Sequence, residues 1–482
     1  MRIPLKQLLG FTNRVAFSAA VSNRAWDIRQ IPFTDTIGFH IYSDLAVELR
    51  RSAGDEKAAA KYLHILQVYA KAAESVCESD WLRILEVQGG RLHLYAESSP
   101  AQVQRLIQSC RKFYRLATGG VSAIAGNTQF TIRMAADHGR AILLRSTGED
   151  ISESIVSLGN PANRPAKLLS QDVSRNGVKA GHLALNRNAL TDGDAEWTQI
   201  NLAAEGIRKS HYEGVTGNAL IENSTQGSMT AFAAAEIEEN PGNPVFAPIT
   251  RRGFMLRADL DGFSARVNEA MAQGGDAILA LVREFNEIMK YPLAFASTLP
   301  KGVSVTIFPW AGDCANIFLE CDNYPLEQCH LPHKAARNWH SVKPNGTNWS
   351  ALFGKTQWLV AIAGGSEENG HGSILTGNVI AEGRTFHVGA GWIWHRSLEA
   401  EQAESNRATE SVIQCEDYDA LDAHLKDAFR DHSAHPKLFK TAALADLNKT
   451  ALIQKRAAAI SVAATVPSLH IPAPAPRPYG GY

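Results

Sequence analysis

Apolar and polar positions change period along this chain, and the order of those changes occurs twice. In the first stretch, Ile37–Tyr42 is an apolar run of strand length. Lys57–Cys77 then carries Tyr62, Leu63, Ile65, Leu66, Val68 and Tyr69 at helical spacing. Leu82–Val87 and Arg91–Ala96 flank a Gly-Gly pair and predict a hairpin. Val103–Thr118 predicts a helix. Phe130–Ala136 and Ala141–Leu144 predict strands on either side of a turn at Asp137-His138-Gly139, and Ala162–Ser170 opens a helix. The second stretch repeats this order. Phe254–Ala258 reads as a strand and Ala272–Met289 as a helix. Val303–Phe308 and Ala315–Leu319 read as strands around Ala-Gly-Asp, followed by strands at Trp358–Ala363 and Ile374–Ile380 and a helix at Gly391–Ala403. The pattern predicts an α/β protein of the α+β, ferredoxin-like sandwich type, built from two repeats of very low identity.

The divisions follow from this reading. Residues 1–30 are expected to form a helical segment, 31–185 a first domain and 251–415 a second. Residues 186–250, rich in Asn, Gly, Thr and Ala and ending in Pro241, Pro244 and Pro248, read as a connector with some helix. A helical tail is expected over 416–465 and a disordered Pro/Gly-rich tail over 466–482.

Composition narrows the function classes. The chain has 482 residues, 45% hydrophobic and 20% charged, which allows normal cores and excludes a disordered, collagen-like or coiled-coil chain. Its 48 Lys+Arg against 49 Asp+Glu leave a net charge of -1, so no basic excess points to nucleic acid or an anionic membrane. Six cysteines are too few for a disulfide scaffold and point to a reducing, cytoplasmic setting. No apolar run reaches the ~18 residues of a membrane span. The basic N-terminus is interrupted by Asn13, Arg14, Asn23 and Arg24 and reads as an amphipathic helix rather than a secretory signal.

Three motifs carry chemistry. In Leu256-Arg257-Ala258-Asp259-Leu260-Asp261-Gly262-Phe263-Ser264, a strand ends in a carboxylate and turns through Gly into a helix. Such a turn can offer backbone N–H groups to phosphate and the carboxylate to Mg²⁺. Read alone, it serves equally well as a helix cap. In Ala311-Gly312-Asp313-Cys314-Ala315 a second carboxylate occupies a hairpin tip, where Gly-Asp turns are also common without function. Their order raises the signal: strand-Asp, helix, then hairpin-Asp about 50 residues on, a layout that can clamp two ions on a triphosphate. In the first repeat, Asn163 and Lys167 of Gly159-Asn160-Pro161-Ala162-Asn163-Arg164-Pro165-Ala166-Lys167 are four apart and share a helix face. Taken in isolation, that pair reads as a solvated helix turn.

Together these motifs resemble the class III nucleotidyl cyclases over roughly residues 35–180 and 250–405. The resemblance implies tandem cyclase-like domains packed as a pseudo-heterodimer. It implies that Asp259 and Asp313 hold two Mg²⁺ or Mn²⁺ ions and that backbone around Leu260, Gly262 and Phe263 binds phosphate. Asn163 falls at the ribose-orienting Asn, and Lys167 falls where the family's Arg meets the phosphate. Each repeat lacks what the other keeps. In the first, Asp44 stands at the first metal position but Gly90 at the second. In the second, Ile393 and Ser397 are expected at the Asn and cation positions. The resemblance therefore implies one composite site and one degenerate site.

The family's base-reading positions correspond to Glu86 and Val156, which form neither the adenine nor the guanine pair. With the Asn-x-Pro-Ala-Lys helix, this is similar to bacterial pyrimidine cyclases of the Pycsar antiphage systems. The implied reaction converts a nucleoside triphosphate, UTP favoured, to cyclic UMP and pyrophosphate for a downstream cyclic-nucleotide effector. CTP, ATP or GTP as substrate, and a non-catalytic nucleotide sensor, are the alternatives; a homodimer is compatible with either.

Other motifs weigh less. Gln273-Gly274-Gly275-Asp276 lies in a predicted helix rather than a hairpin, Cys321, Cys329, His330 and His333 fit no familiar zinc spacing, and Asp137-His138-Gly139 is read as an ordinary turn. Trp392 and Trp394 read as interface packing. There is no Walker A loop and no Gly-x-Ser-x-Gly elbow.

Overall fold

The protein is described here by a computed structural model covering residues 33–45, 56–80, 82–88, 90–125, 132–145, 155–169, 183–186, 197–201, 218–222, 249–321, 330–342, 357–364, 373–403 and 410–452. The expected segments 1–30 and 466–482 lie outside these residues. The first sheet contains β1 (Phe33–Asp44), β2 (Arg83–Gln88), β3 (Arg91–Glu97), β4 (Arg133–Arg145), β5 (Ile155–Leu158), β6 (Leu183–Asn186), β7 (Trp197–Asn201) and β8 (Asn218–Glu222). The second contains β9 (Ile249–Leu260), β10 (Ser304–Ala311), β11 (Cys314–Glu320), β12 (Trp358–Ala363), β13 (Ser373–Ala381), β14 (Arg384–Ala390), β15 (Glu410–Gln414), β16 (Arg430–Asp431) and β17 (Phe439–Ala443). Their orders are β2-β3-β1-β4-β6-β8-β7 and β10-β11-β9-β12-β15-β17-β16, the same path. β6 runs parallel to β4 as β15 does to β12, and the other pairings are antiparallel. The repeat read from the sequence is thus a repeat of topology.

Alternation along β1 separates two faces. Phe39 and Ile41 enter a core with α1 (Glu56–Asp80) and α2 (Val103–Ala125). His40, Tyr42 and Asp44 occupy the opposite face, as the period-2 geometry of a strand requires. In the second half, β9 packs under α4 (Phe263–Gln273), α5 (Gly275–Met289), α6 (Tyr291–Ala296) and α7 (Leu331–Ser341).

The two halves share their cores. The first core includes Phe308, Ile374, Val379, Phe386, Val388 and Trp394 from the second half. The second core includes Phe33, Ile142, Leu144, Val156 and Leu158 from the first. Each fully buried side chain of this size contributes roughly 1.5–3 kcal/mol, so the halves are not separable without large loss. Polar contacts fix the register of the exchange. The Gln67 side chain donates to Ile380 O at 2.7 Å and accepts from Ile380 N at 2.8 Å. The Ile84 N–H donates to Glu382 Oε2 at 3.0 Å.

Several expectations are corrected. Asp137-His138-Gly139 is no turn but lies within β4, whose pairing with β1 continues unbroken through it. Gly139 is kept by close approach: a Cβ there would meet Pro161 Cγ at 2.6 Å. Among its described residues, the 186–250 segment supplies β7 and β8, which extend the first sheet. The 416–465 tail is helical only in part. Short helices α9 (Cys415–Asp419) and α10 (Ala423–Lys426) precede β16 and β17, and 444–452 is helical again. Residues 453–465 lie outside the described set. The predicted helix 272–289 is broken at Gly274 and Gly275, whose φ values of 74° and 35° end α4 and start α5. In these cases strand pairing and glycine conformation override local composition.

Candidate functional site

The residues expected to hold metal come from the end of β9 and from the β10–β11 hairpin. Asp259 is the next-to-last residue of β9. Gly262 takes a left-handed conformation, φ 73°, as the N-cap of α4, and no side chain caps that helix. A non-glycine residue would be strained there. The first-turn amides at Phe263 and Ser264 are the kind that bind anions. The Phe263 ring itself is buried against Phe285, centroids 5.3 Å apart, so this residue can serve phosphate only through its backbone. Gly312 and Asp313 form the hairpin tip between β10 and β11.

The facing wall is α3 (Asn160–Leu168), entered through Gly159 at φ 134° with Pro161 in its first turn. Asn163 Nδ2 donates to Ser264 Oγ at 3.0 Å, and Asn268 Nδ2 donates to Asn160 Oδ1 at 2.9 Å. These two bonds hold α3 of the first half against α4 of the second. A cavity of about 660 Å³ lies between them, lined among others by Asn163, Lys167, Asp259, Leu260, Gly262, Phe263 and Asp313. That volume is ordinary for a small-molecule site.

Electrostatics mark the cavity. Burial pushes the Asp259 carboxyl well above the usual range, and the adjacent Asp313 adds to it. Burial pushes Asp313 up to about 7, the Glu401 charge raises it further, and its own backbone hydrogen bond and the Lys167 ammonium oppose this. Two half-buried carboxylates held close to each other on one cavity fit a divalent cation with hard oxygen donors. Among the described residues no group of three or more His, Cys, Asp or Glu side chains could hold a metal ion.

The same cavity runs on into the degenerate half. In the register Ser43 pairs Leu92 as Ala258 pairs Ala315, so one residue further on Asp44 is the counterpart of Asp259, and at the hairpin tips Gly90 is the counterpart of Asp313. Asp44 accepts from Arg133 at 2.9 Å, both buried. The helix alignment expected from sequence is corrected. α8 (Trp392–Glu401) has Gly391 as N-cap at φ 123°, matching Gly159. Counting from these caps, His395 stands opposite Asn163 and Glu399 opposite Lys167, not Ile393 and Ser397. His395 Nε2 and Glu399 Oε1 are 3.1 Å apart. Ile393 and Trp394 are buried in the shared core, with Trp392 packed against it.

Glu86 and Val156 do not meet at the cavity. Neither lines it. Glu86 pairs with His93 on the face of Tyr42, whereas Val156 follows Leu144 and Phe33 onto the other face and into the second core. Sequence reasoning missed Glu401 and Arg257. Arg257 is buried, donates to Ser397 Oγ at 3.0 Å and to Asn316 Oδ1, and lies 4.9 Å over the Trp394 ring. A buried arginine inside an apolar strand was the available signal. The zinc reading has no support among the described residues: His330 meets Asp422 and His333 meets Thr450, and Cys329 lies outside them.

No family profile and no curated protein matches the chain. Solved structures do. A class III adenylyl cyclase-like ATP-binding protein from Pseudomonas aeruginosa matches at TM-score 0.62 and 16% identity, over 93% of this chain and 98% of that one. The guanylyl cyclase Cya2 matches at TM-score 0.30 and 14% identity, over 39% and 91%. The adenylyl cyclase CyaB from P. aeruginosa matches at TM-score 0.28 and 16% identity, over 41% and 94%. The first likeness extends across both halves, and the fold is that of a class III cyclase, doubled within one chain. No helix among the described residues is long and apolar enough to cross a membrane.

Proposed function

We propose that the protein is a nucleotidyl cyclase that converts a nucleoside triphosphate, UTP in the first place, to its 3′,5′-cyclic nucleotide and pyrophosphate. The observation that carries this reading is the meeting of Asp259 and Asp313 from one half with Asn163 and Lys167 from the other on one cavity. In the reaction the O3′–Pα bond forms and the bond from Pα to the β-phosphate oxygen breaks. Pyrophosphate leaves with the electron pair and the 3′-hydroxyl proton passes to solvent.

Asp259 and Asp313 would hold Mg²⁺ or Mn²⁺, which supplies charge neutralisation on the triphosphate and acidifies the 3′-hydroxyl. The remaining work falls to the chain. The α4 amides hold phosphate oxygens, Asn163 orients the ribose, and Lys167 offsets charge on the reacting phosphate. Lysine presents a point charge rather than the bidentate fork of an arginine. UTP is put first on the resemblance to the pyrimidine cyclases alone, since Glu86 and Val156 do not line the cavity. A cyclic UMP product would act as a second messenger on a separate effector, as the pyrimidine-cyclase resemblance implies.

The second reading is a nucleotide sensor without turnover, favoured by the lysine at position 167 and the degenerate second half. Release of labelled pyrophosphate from UTP, CTP, ATP and GTP with Mn²⁺ separates the two. Turnover of at least one nucleotide is expected; tight binding without turnover of any would replace the enzyme with the sensor.

A further inference from the structure

Two hydrogen bonds join the halves along the cavity wall, and neutral side chains make both. Asn163 Nδ2 donates to Ser264 Oγ at 3.0 Å, and Asn268 Nδ2 donates to Asn160 Oδ1 at 2.9 Å. All four side chains line the cavity. They are three residues apart on α3 and four apart on α4, so they form two rungs between facing helix sides. Each rung keeps hydrogen-bonding capacity in hand. Among the described residues, Asn163 Oδ1 has no hydrogen-bond partner, and the Ser264 hydroxyl hydrogen has no acceptor.

Position and chemistry of the Asn163–Ser264 rung point to a sugar. Ser264 is the second residue of α4, beside the Gly262 turn and five residues past Asp259. Asn163 lies one turn before Lys167, whose charge acts on Asp313. The rung is therefore next to the phosphate and metal end. No side chain caps α4, so its own first turn does not engage Ser264 Oγ. With its nitrogen bonded to Ser264, the Asn163 amide has a fixed sense: the carbonyl Oδ1 points away from Ser264 as an acceptor on the cavity wall. A phosphate oxygen is itself an acceptor and gains nothing from Oδ1, whereas a hydroxyl can donate to it. In a nucleotide the hydroxyl-bearing group next to the reacting phosphate is the sugar. The 3′-hydroxyl gives up its proton in the reaction, so the lasting donor to Oδ1 is the 2′-hydroxyl.

We infer that Ser264 is a positioning residue that turns the Asn163 carbonyl onto the 2′-hydroxyl, and that the site thereby selects ribonucleoside over 2′-deoxyribonucleoside triphosphates. This rests on the nucleotide-site reading above and deepens it. A site built to hydrogen-bond a hydroxyl rejects the analogue without it, because its own polar group is left unpaired.

The test compares kcat/KM for UTP, CTP, ATP and GTP with that of their 2′-deoxy counterparts, with Mn²⁺, in the wild type, Ser264→Ala, Ser264→Thr and Asn163→Ala. Melting temperatures confirm folding. Every substrate keeps its 3′-hydroxyl, so each can cyclise. The wild type should prefer the ribose form of its best substrate by at least about tenfold. The 2′-fluoro-2′-deoxy analogue should follow the deoxy compound, since fluorine has no hydrogen to donate. Ser264→Ala keeps the first-turn amides, yet it should bring the ratio to within about threefold by slowing the ribose substrate most. Ser264→Thr should keep the ratio. If Ser264 merely held α3 against α4, its loss would slow both sugars alike and leave the ratio in place. A wild-type ratio under about threefold, a 2′-fluoro substrate used as well as the ribose one, or a ratio that survives in Ser264→Ala overturns the inference. Should Ser264→Ala not fold, a ratio that survives in Asn163→Ala overturns it instead. If the wild type turns over no nucleotide, the cyclase reading fails. The ratios are then read by displacement of a fluorescent nucleotide: equal displacement by ribose and deoxyribose forms overturns the inference, and a ribose preference lost in Ser264→Ala upholds it.

Discussion

The two ends of the cavity have the same topology and opposite electrostatics. At one end Asp259 faces Asp313 and burial holds both carboxyls high. At the other, the counterpart Asp44 is paired with Arg133, and Gly90 stands where the second acid would be. On the proposed reading one end takes a cation from outside, whereas at the other Arg133 supplies the positive charge. The helices differ in the same sense. Asn163 and Lys167 line the cavity; of their counterparts, His395 lines it too but is bonded to Glu399. On the proposed reading, a duplicated fold keeps one functional end by dividing its parts between the halves, and the other end serves as internal structure.

The largest effect expected on this contrast is from Asp259→Ala or Asp313→Ala. Loss of a metal carboxylate removes several kcal/mol at the transition state, so pyrophosphate release should fall at least about 100-fold. Melting temperature should hold or rise, since a buried repulsion is relieved. Retention of a tenth of the activity would sink the ligand assignment.

Lys167→Ala should lower kcat by about 10²-fold, in the range seen when a single charge-stabilising donor is lost. Mixed with Asp259→Ala chains it should stay inactive, because the shared cores assemble both walls within one chain. Activity regained in the mixture would mean that two chains exchange halves.

Asp44→Ala should leave turnover within about threefold of wild type, and its effect should appear in stability instead. It strands the buried Arg133, a loss of about 3 kcal/mol or more, readable as a lower urea midpoint. A collapse of activity with unchanged stability would reverse the assignment of the two ends.

An effect on stability alone, read as a pH slope, concerns Glu86, pushed up to about 8 by burial, with Arg91 opposing. The folded chain keeps a proton that the unfolded chain releases above its ordinary carboxyl range. Stability should therefore fall as pH rises from about 4.5 to about 8, by at most about 1.4 kcal/mol per pH unit for this group. Urea unfolding of Glu86→Gln against wild type should show that part of the slope removed; parallel curves would show that Glu86 is not buried in its acid form.

The working end was more legible in the sequence than its counterpart. Asp259, Gly262, Asp313, Asn163 and Lys167 sit at strand ends, turns and one helix face, where spacing fixes placement. The other end depends on a partner distant in sequence, since Arg133 meets Asp44 across 89 residues. The α8 offset was hidden because Gly389 and Gly391 are both glycines, and only φ at Gly391 marks the cap. β7 and β8 lacked strong alternation and were set by pairing with β6. The ion pair of Arg164 with Asp137 was hidden because Asp137 was assigned to a turn.

The central claim, one composite nucleotide site per chain, is tested most directly by calorimetric titration of wild type, Asp259→Ala and Asp44→Ala with a 3′-deoxynucleoside triphosphate and Mn²⁺. The analogue binds but cannot cyclise. One equivalent per chain is predicted for the wild type and for Asp44→Ala, and loss of binding for Asp259→Ala. Two equivalents per chain, or binding that is lost in Asp44→Ala and kept in Asp259→Ala, would contradict the account.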